Sequence, residues 1–232
     1  MRTTALIVGA GRGERLGEGL AKQFLVCAGH PLAWHAMDAF CRSGEVDDLV
    51  MVLPDPADLE RFLGGAAAWP LPVCAVAGGR ERQDSVAAGL AALPADGLVL
   101  VHDAARPLLP RRVIRDVRRA AMIAGAAIPA LPCTDTIKEV GGGRVLATLE
   151  RRHLARVQTP QGFRVGLLRR AHAHAREGGL RASDDAALVE KLGAPVVVVP
   201  GAEENFKVTW AGDLLLVEAI LADRGNRGEK QE

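Results

Sequence analysis

Short apolar runs at residues 4–8, 49–53, 73–76, 98–101 and 196–199 alternate with longer stretches whose apolar positions recur at helical spacing. The short runs are continuous rather than alternating, which is the pattern of strands covered on both faces in a parallel sheet. The longer stretches predict helices over 32–41, 85–93, 110–123, 166–175, 186–192 and 212–222. Pro31 suits the first position of the first of these. Ser183-Asp184-Asp185 supplies a cap and an acidic first turn for the helix over 186–192. Strand and helix in succession predict a doubly wound α/β fold. Residues 134–158 break the rhythm, with β-like pieces around Gly141-Gly142-Gly143 and no amphipathic helix. This segment is expected to form a hairpin arm inserted in a single domain over 1–232, and the charged end, 224–232, a frayed tail.

Composition narrows the class. At 232 residues, 49% hydrophobic and 25% charged, the chain is expected to be globular around one sizeable core. A net charge of +1 gives no support to a nucleic-acid partner. None of the four cysteines falls in a metal-ligand spacing, so reduced thiols are expected. The N-terminus shows no signal-peptide apolar region, and no apolar run approaches the ~20 residues of a membrane span. A cytoplasmic protein with no membrane partner is the expectation.

The strongest chemical signal follows the first strand: Gly9-Ala10-Gly11-Arg12-Gly13-Glu14-Arg15-Leu16, then Lys22-Gln23-Phe24. Glycines there let backbone N–H groups approach an anion. Arg12, Arg15 and Lys22 add three cations, which suits a triphosphate. The Gly-Lys-Ser/Thr of a Walker A loop is absent, and the G-x-G-x-x-G dinucleotide pattern fails in both frames. The alternative is a glycine-rich turn with solvated arginines.

Three later segments add to it. In His102-Asp103-Ala104-Ala105-Arg106-Pro107, Asp103 closes a central strand, where such folds bind ligands, and can help to hold Mg²⁺. Arg106 either binds a phosphate or locks the loop by pairing with Asp103. Gly78-Gly79-Arg80-Glu81-Arg82-Gln83-Asp84-Ser85 is either a turn that holds a base or ribose, or an ordinary loop with a serine cap. Lys207, in Asn205-Phe206-Lys207-Val208-Thr209, can reach back over phosphates. His172 and His174, two apart on a predicted helix, point in different directions and read as solvated. Trp34, Trp69 and Trp210 read as isolated.

Together these motifs resemble the 2-C-methyl-D-erythritol 4-phosphate cytidylyltransferase family of the non-mevalonate isoprenoid pathway. The resemblance covers nearly the whole chain. It rests on the segments at 9–16, 22–24, 78–86, 102–107 and 205–209, with D-T-I-K at 135–138, T-P-Q at 159–161 and S-D-D-A at 183–186 in the same order. It implies a Rossmann-like, mostly parallel sheet of the nucleotide-diphospho-sugar transferase type with a projecting β-hairpin arm. It also implies a homodimer whose arms cross between subunits. By this resemblance Arg15, Lys22 and Lys207 are catalytic, stabilising charge at the α-phosphate. Ala10, Gly11 and Gly13 line the triphosphate, and Gly79, Asp84 and Ser85 read cytosine and ribose. Asp103, Arg106, Thr136, Arg151 and Thr159 hold methylerythritol phosphate, and Mg²⁺ or another divalent cation is the cofactor. The loop departs from the family's usual Pro-Ala-Ala-Gly in having Val8-Gly9-Ala10-Gly11, Ser183 stands where threonine is common, and Trp210-Ala211 replaces a pattern with proline. Some members are fused to a cyclodiphosphate synthase, and 232 residues are expected to hold the transferase alone.

The reaction implied is CTP plus methylerythritol phosphate giving the cytidyl diphosphate alcohol and pyrophosphate. An ionised acceptor needs no strong base, in keeping with a site rich in Arg and Lys and without a Ser-His-Asp set. The alternatives are a pentitol (ribitol) 5-phosphate cytidylyltransferase, a transferase using another base, or a catalytically silent nucleotide-binding regulatory module. The joint presence of Arg15, Lys22, Asp103 and Lys207 speaks against the last.

Overall fold

The computed structural model describes residues 1–11, 22–63 and 69–226. In chain order the elements are β1 (Thr3–Val8), β2 (Val26–Cys27), β3 (His30–Pro31), α1 (Leu32–Ser43), β4 (Asp48–Leu53), α2 (Leu59–Leu63) and β5 (Val73–Ala77). Then come α3 (Arg82–Ala91), β6 (Leu98–Asp103), α4 (Arg111–Ala124), β7 (Ala126–Pro132), β8 (Lys138–Gly141) and β9 (Arg144–Thr148). The chain continues through β10 (Ala155–Val157), β11 (Gln161–Arg164), α5 (Val165–Glu177), α6 (Asp185–Lys191), β12 (Val197–Pro200) and α7 (Ala211–Asn226).

The expected mostly parallel sheet is present. β5, β4, β1 and β6 lie side by side in parallel register, β11 is antiparallel to both β6 and β7, and β12 runs parallel to β7. Two apolar layers cover its faces. One centres on Ile7, Met37, Phe40, Met51 and Leu100, and the other on Leu6, Val86, Val99, Phe163 and Leu168. Leu6 and Ile7 point to opposite layers, as the period-2 alternation of a strand requires. No described helix is long and apolar enough to cross a membrane.

In the main sheet, β7 and β11 carry no strand pattern in the sequence. β7 carries Pro129 and Pro132 among small residues. Proline demotes a strand in sequence because it cannot donate to the ladder. Here the Pro129 carbonyl still accepts from Gln158 N–H at 2.8 Å. β10 and β11 are two segments on the same side of β7. Val157 faces Ala130, whereas Gly162 faces Ala127, so the register slips across the intervening residues. That bulge, which contains the cis Thr159–Pro160 bond, turns Gln158, Thr159 and Gln161 toward neighbouring loops.

The expected hairpin arm is β8–β9, a separate two-stranded sheet. Gly142 and Gly143 both have positive φ, 54° and 74°, as a tight hairpin turn requires. The last part of 134–158 belongs elsewhere: β10 pairs with β7 in the main sheet. At the other end of the chain, α7 extends to Asn226, and Arg224 pairs with Glu204 at 2.8 Å, so the start of the expected tail is helical. Trp34 is not isolated. It stacks on His30 with centroids 3.9 Å apart and meets Trp69 edge-on at 5.7 Å.

Candidate active site

The carboxyl ends of four parallel strands converge. Gly9 N–H donates to the Val52 carbonyl, Gly78 N–H to the Leu53 carbonyl and Ala104 N–H to the Val8 carbonyl, at 2.8–3.0 Å. Loops leaving β1, β5 and β6 therefore start from fixed points on one edge. Gly78 is required by close approach: a Cβ there would overlap that of Ala10. Ala10 and the Gly78–Gly79 turn thus form one surface. At Gly9 a Cβ would meet Ala104 at 3.4 Å, an ordinary contact, so this position has room for the alanine usual in the resembled family.

The turn into α3 is held by its own side chains. Glu81 and Asp84 form a capping box, and Arg181 adds a 3.2 Å bond to Asp84. Ser85 Oγ accepts from Gly79 N–H at 3.1 Å and donates to the Glu81 carbonyl at 3.0 Å. Gly79, Asp84 and Ser85 are therefore brought together as expected. Within this turn the two side chains shape the backbone, and the backbone is what they present.

Asp103, 8% exposed at the end of β6, is the charge centre. Its Oδ2 accepts from Lys207 Nζ at 2.8 Å and its Oδ1 from Arg82 Nε at 3.0 Å. Burial alone would raise the Asp103 pKa, but the charges of Arg82 and Lys207 outweigh it and hold the carboxyl well below the usual range. Of the two roles open to Arg106 from sequence, the loop-locking pair with Asp103 does not form among the described residues, where these two cations take the carboxylate. Arg106 instead donates to the Asn205 carbonyl at 2.7 Å. It forms no ion pair among the described residues, and its buried Nε has no hydrogen-bond partner. Burial lowers the Arg106 pKa, offset in part by Asp103.

A hydrogen-bonded chain fixes the backbone beneath. The Arg106 carbonyl can only accept, so His102 Nε2 carries the proton of that 3.0 Å bond. His102 Nδ1 then accepts from the Thr159 hydroxyl, which itself accepts from Asp103 N–H at 3.1 Å. The bulge thus places Thr159 against Asp103, with its oxygen engaged by protein on both sides. Asn205, fully buried, donates to the Thr159 carbonyl at 2.7 Å and ties the Lys207 loop to the same bulge.

Burial is the main cause that lowers the His102 pKa from 6.5 to about 4, against an opposing bond to the Arg106 carbonyl. The folded state therefore favours the neutral ring, and between these values the unfolded chain binds more protons. Stability is expected to fall as pH drops from about 6.5 to about 4, by up to about 3 kcal/mol. His35, lowered by burial, contributes with the same sign. The stability that Asp103 and Asp185 contribute, their pKa values being lowered from 3.8, is present above that value and lost as the pH falls below it. Urea unfolding at pH 7 and pH 5 checks this: His102→Gln should flatten the fall, and a wild-type stability equal at both pH values would contradict it.

The remaining expected residues divide. Gly13 and Arg15 lie outside the described residues, as does the Lys22 side chain, although Lys22–Phe24 form a 3-10 turn. Gly11 is exposed, with nothing within 4 Å of a Cβ placed on it. Thr136 and Arg151 are exposed at the base of the arm, where Arg151 donates to the Thr134 carbonyl at 2.6 Å. Neither bonds to Asp103, Arg106 or Lys207 among the described residues. His172 is not solvated: it is 5% exposed and donates to Asp185 at 3.1 Å. The residues missed from sequence are Arg82 and Asp185. The signal available for His172 was its spacing: 165, 168, 172 and 175 share the buried face of α5.

Among the described residues no cluster of three or more His, Cys, Asp or Glu side chains is placed to hold a metal. The carboxylate at these strand ends is that of Asp103, and Arg82 and Lys207 engage both its oxygens, so an ion beside it would find little more than a shared oxygen on the protein. That suits Mg²⁺ carried largely by a substrate's phosphate oxygens, since this ion commonly takes only one or two protein carboxylates.

The model of the IspD family, 2-C-methyl-D-erythritol 4-phosphate cytidylyltransferase, matches residues 3–223. A "Bifunctional enzyme IspD/IspF" of Solidesulfovibrio magneticus is 49% identical across 92% of this chain, which spans 56% of that protein. The 2-C-methyl-D-erythritol 4-phosphate cytidylyltransferase of Geobacillus kaustophilus is 42% identical across 97% of this chain and 99% of its own length. Among solved structures, the enzyme of that name from Thermus thermophilus superposes with a TM-score of 0.78 at 39% identity, covering 96% of this chain and all (100%) of its own. The 4-diphosphocytidyl-2C-methyl-D-erythritol synthase of Anaerococcus prevotii gives 0.82 at 26% identity, covering 95% and 98%. With its sheet, arm and charged strand ends as described, this chain belongs to the 2-C-methyl-D-erythritol 4-phosphate cytidylyltransferase family.

Proposed function

We propose that this chain transfers the cytidylyl group of CTP to 2-C-methyl-D-erythritol 4-phosphate in the non-mevalonate isoprenoid pathway. The products are 4-diphosphocytidyl-2-C-methyl-D-erythritol and pyrophosphate. The observation that carries this reading is the charge at the strand ends: one buried carboxylate under Arg82 and Lys207, beside Arg106 with an unpartnered Nε. Such an excess of donors suits two anionic substrates.

An acceptor phosphate oxygen attacks the α-phosphorus, and the bond to the β-phosphate oxygen breaks as pyrophosphate leaves. The attacking oxygen is already ionised, so positioning and electrostatic stabilisation carry the catalysis. In this reading Lys207, with Arg15 and Lys22, stabilises charge at the α-phosphate, and Ala10, Gly11 and Gly13 line the triphosphate. The turn shaped by Gly79, Asp84 and Ser85 reads cytosine and ribose. Arg106 takes the acceptor phosphate, with Thr136 and Arg151 of the arm, while Thr159 sets Asp103. Asp103 would help to hold a Mg²⁺ brought with the nucleotide, and that ion would supply charge neutralisation of the phosphates. The arm's exposed Val140, Val145 and Leu146 support a homodimer built through it. The working location in this reading is the cytoplasm.

Pyrophosphate release should be measured with each of the four ribonucleoside triphosphates against methylerythritol and ribitol phosphates. CTP with methylerythritol phosphate is expected to dominate. Equal release from ATP or GTP, or faster release with ribitol phosphate, would overturn the substrate assignment.

A further inference from the structure

Asp185, on the first turn of α6, is 1% exposed and anionic, which requires partners of good geometry. Its Oδ2 accepts from Arg82 Nη1 at 2.7 Å and its Oδ1 from His172 Nε2 at 3.1 Å. Its own N–H donates to Gln161 Oε1 at 3.2 Å, on the strand segment that follows Thr159–Pro160. Burial would raise its pKa, but the hydrogen bond from His172 and the charge of Arg82 outweigh it.

The other edge of the same guanidinium reaches Asp103. Arg82 therefore bridges two carboxylates, one at the end of β6 and one at the start of α6. A planar fork held at both edges has one orientation. Lys207 differs: its side chain is 47% exposed, and its amine is a single point charge on a flexible stem. Asp103 thus carries one fixed cation and one that can move.

We propose that Asp185, backed by His172, is a positioning residue for the transfer site: it locks Arg82 in the orientation that fixes Asp103, leaving Lys207 as the cation free to turn toward entering phosphates. The role rests on the cytidylyltransferase reading. It assigns the two cations on Asp103 different duties and extends the functional assembly to α5 and α6. A buried ion pair that merely fastens α6 to α3 would show the same bonds, so the test must separate the two.

A double-mutant cycle does so. Asp185→Asn and Arg82→Ala are made singly and together, and kcat and KM for CTP and for methylerythritol phosphate are measured where thermal melting shows every variant folded. Each single change is expected to lower kcat/KM for the acceptor about tenfold or more, with the double variant no worse than Arg82→Ala. Independent, multiplying losses would overturn the positioning role. If Asp185→Asn does not fold, His172→Gln replaces it in the cycle: its loss must likewise vanish in the Arg82→Ala background, and persistence there would overturn the proposal. A wild type that makes no product from CTP and methylerythritol phosphate would instead refute the functional reading, so the two failures are distinguishable.

Discussion

Lys207→Ala is expected to lower kcat by roughly 10²–10³, the loss typical of one preorganised donor at a developing anion. The melting temperature should scarcely move. Lys207 is half exposed, and ion pairs at such positions contribute little to folding. Its partner Asp103 also keeps Arg82 at 3.0 Å after the change, so no buried carboxylate is left bare. This separation of activity from stability distinguishes a catalytic lysine from a structural one. Steady-state kinetics beside a thermal melt checks it. A normal kcat with only a raised KM would demote Lys207 to ground-state binding. The same reading assigns comparable losses to Arg15→Ala and Lys22→Ala.

Mixing two inactive proteins should restore activity. The arm's β8–β9 ribbon forms its own small sheet, and Val140, Val145 and Leu146 on it are exposed. A two-stranded ribbon is marginal alone and needs a covering surface. A two-fold partner supplies one, and Arg151 at the arm's base would then complete the neighbouring subunit's acceptor site. Lys22→Ala and Arg151→Ala proteins, each nearly inactive, are allowed to exchange subunits. About half the dimers would be mixed, each with one site holding both groups, so about a quarter of wild-type activity should return. Were the arm to serve its own subunit, every site would lack one group. Continued inactivity with exchange verified would exclude the cross-subunit site.

The sheet was legible where strands are apolar on both faces. Leu6-Ile7-Val8, the runs at 49–53 and 98–101, and the glycines after β1 each carry their signal in adjacent letters. β7 was not legible, because Ile128 is the one large apolar residue among its buried alanines and Pro129, and its ladder is completed by Gln158 from the bulge. The cations that donate to Asp103 were only half legible. Lys207 sits in a distinctive segment, but Arg82 lies in a charged run, beside Arg80 and Glu81, in which no letter sets it apart. Its second partner, Asp185, is 103 residues away in sequence. His172 carried a usable sign, the spacing of apolar positions on α5, which outweighs the general expectation that a charged helix face is wet. Of the two roles left open for Arg106, the pair with Asp103 is set aside for a geometric reason: Arg106 is drawn to the Asn205 carbonyl, and the carboxylate is taken on both oxygens.

In the proposed reaction an acceptor phosphate oxygen attacks the α-phosphorus of CTP. Methylerythritol 4-phosphate labelled with ¹⁸O at its non-bridging phosphate oxygens tests it directly, with products read by mass spectrometry. All of the label is expected in the cytidyl diphosphate product, formed one for one with unlabelled pyrophosphate. Label in the pyrophosphate, or CMP and pyrophosphate formed while the labelled acceptor remains unchanged, would contradict it.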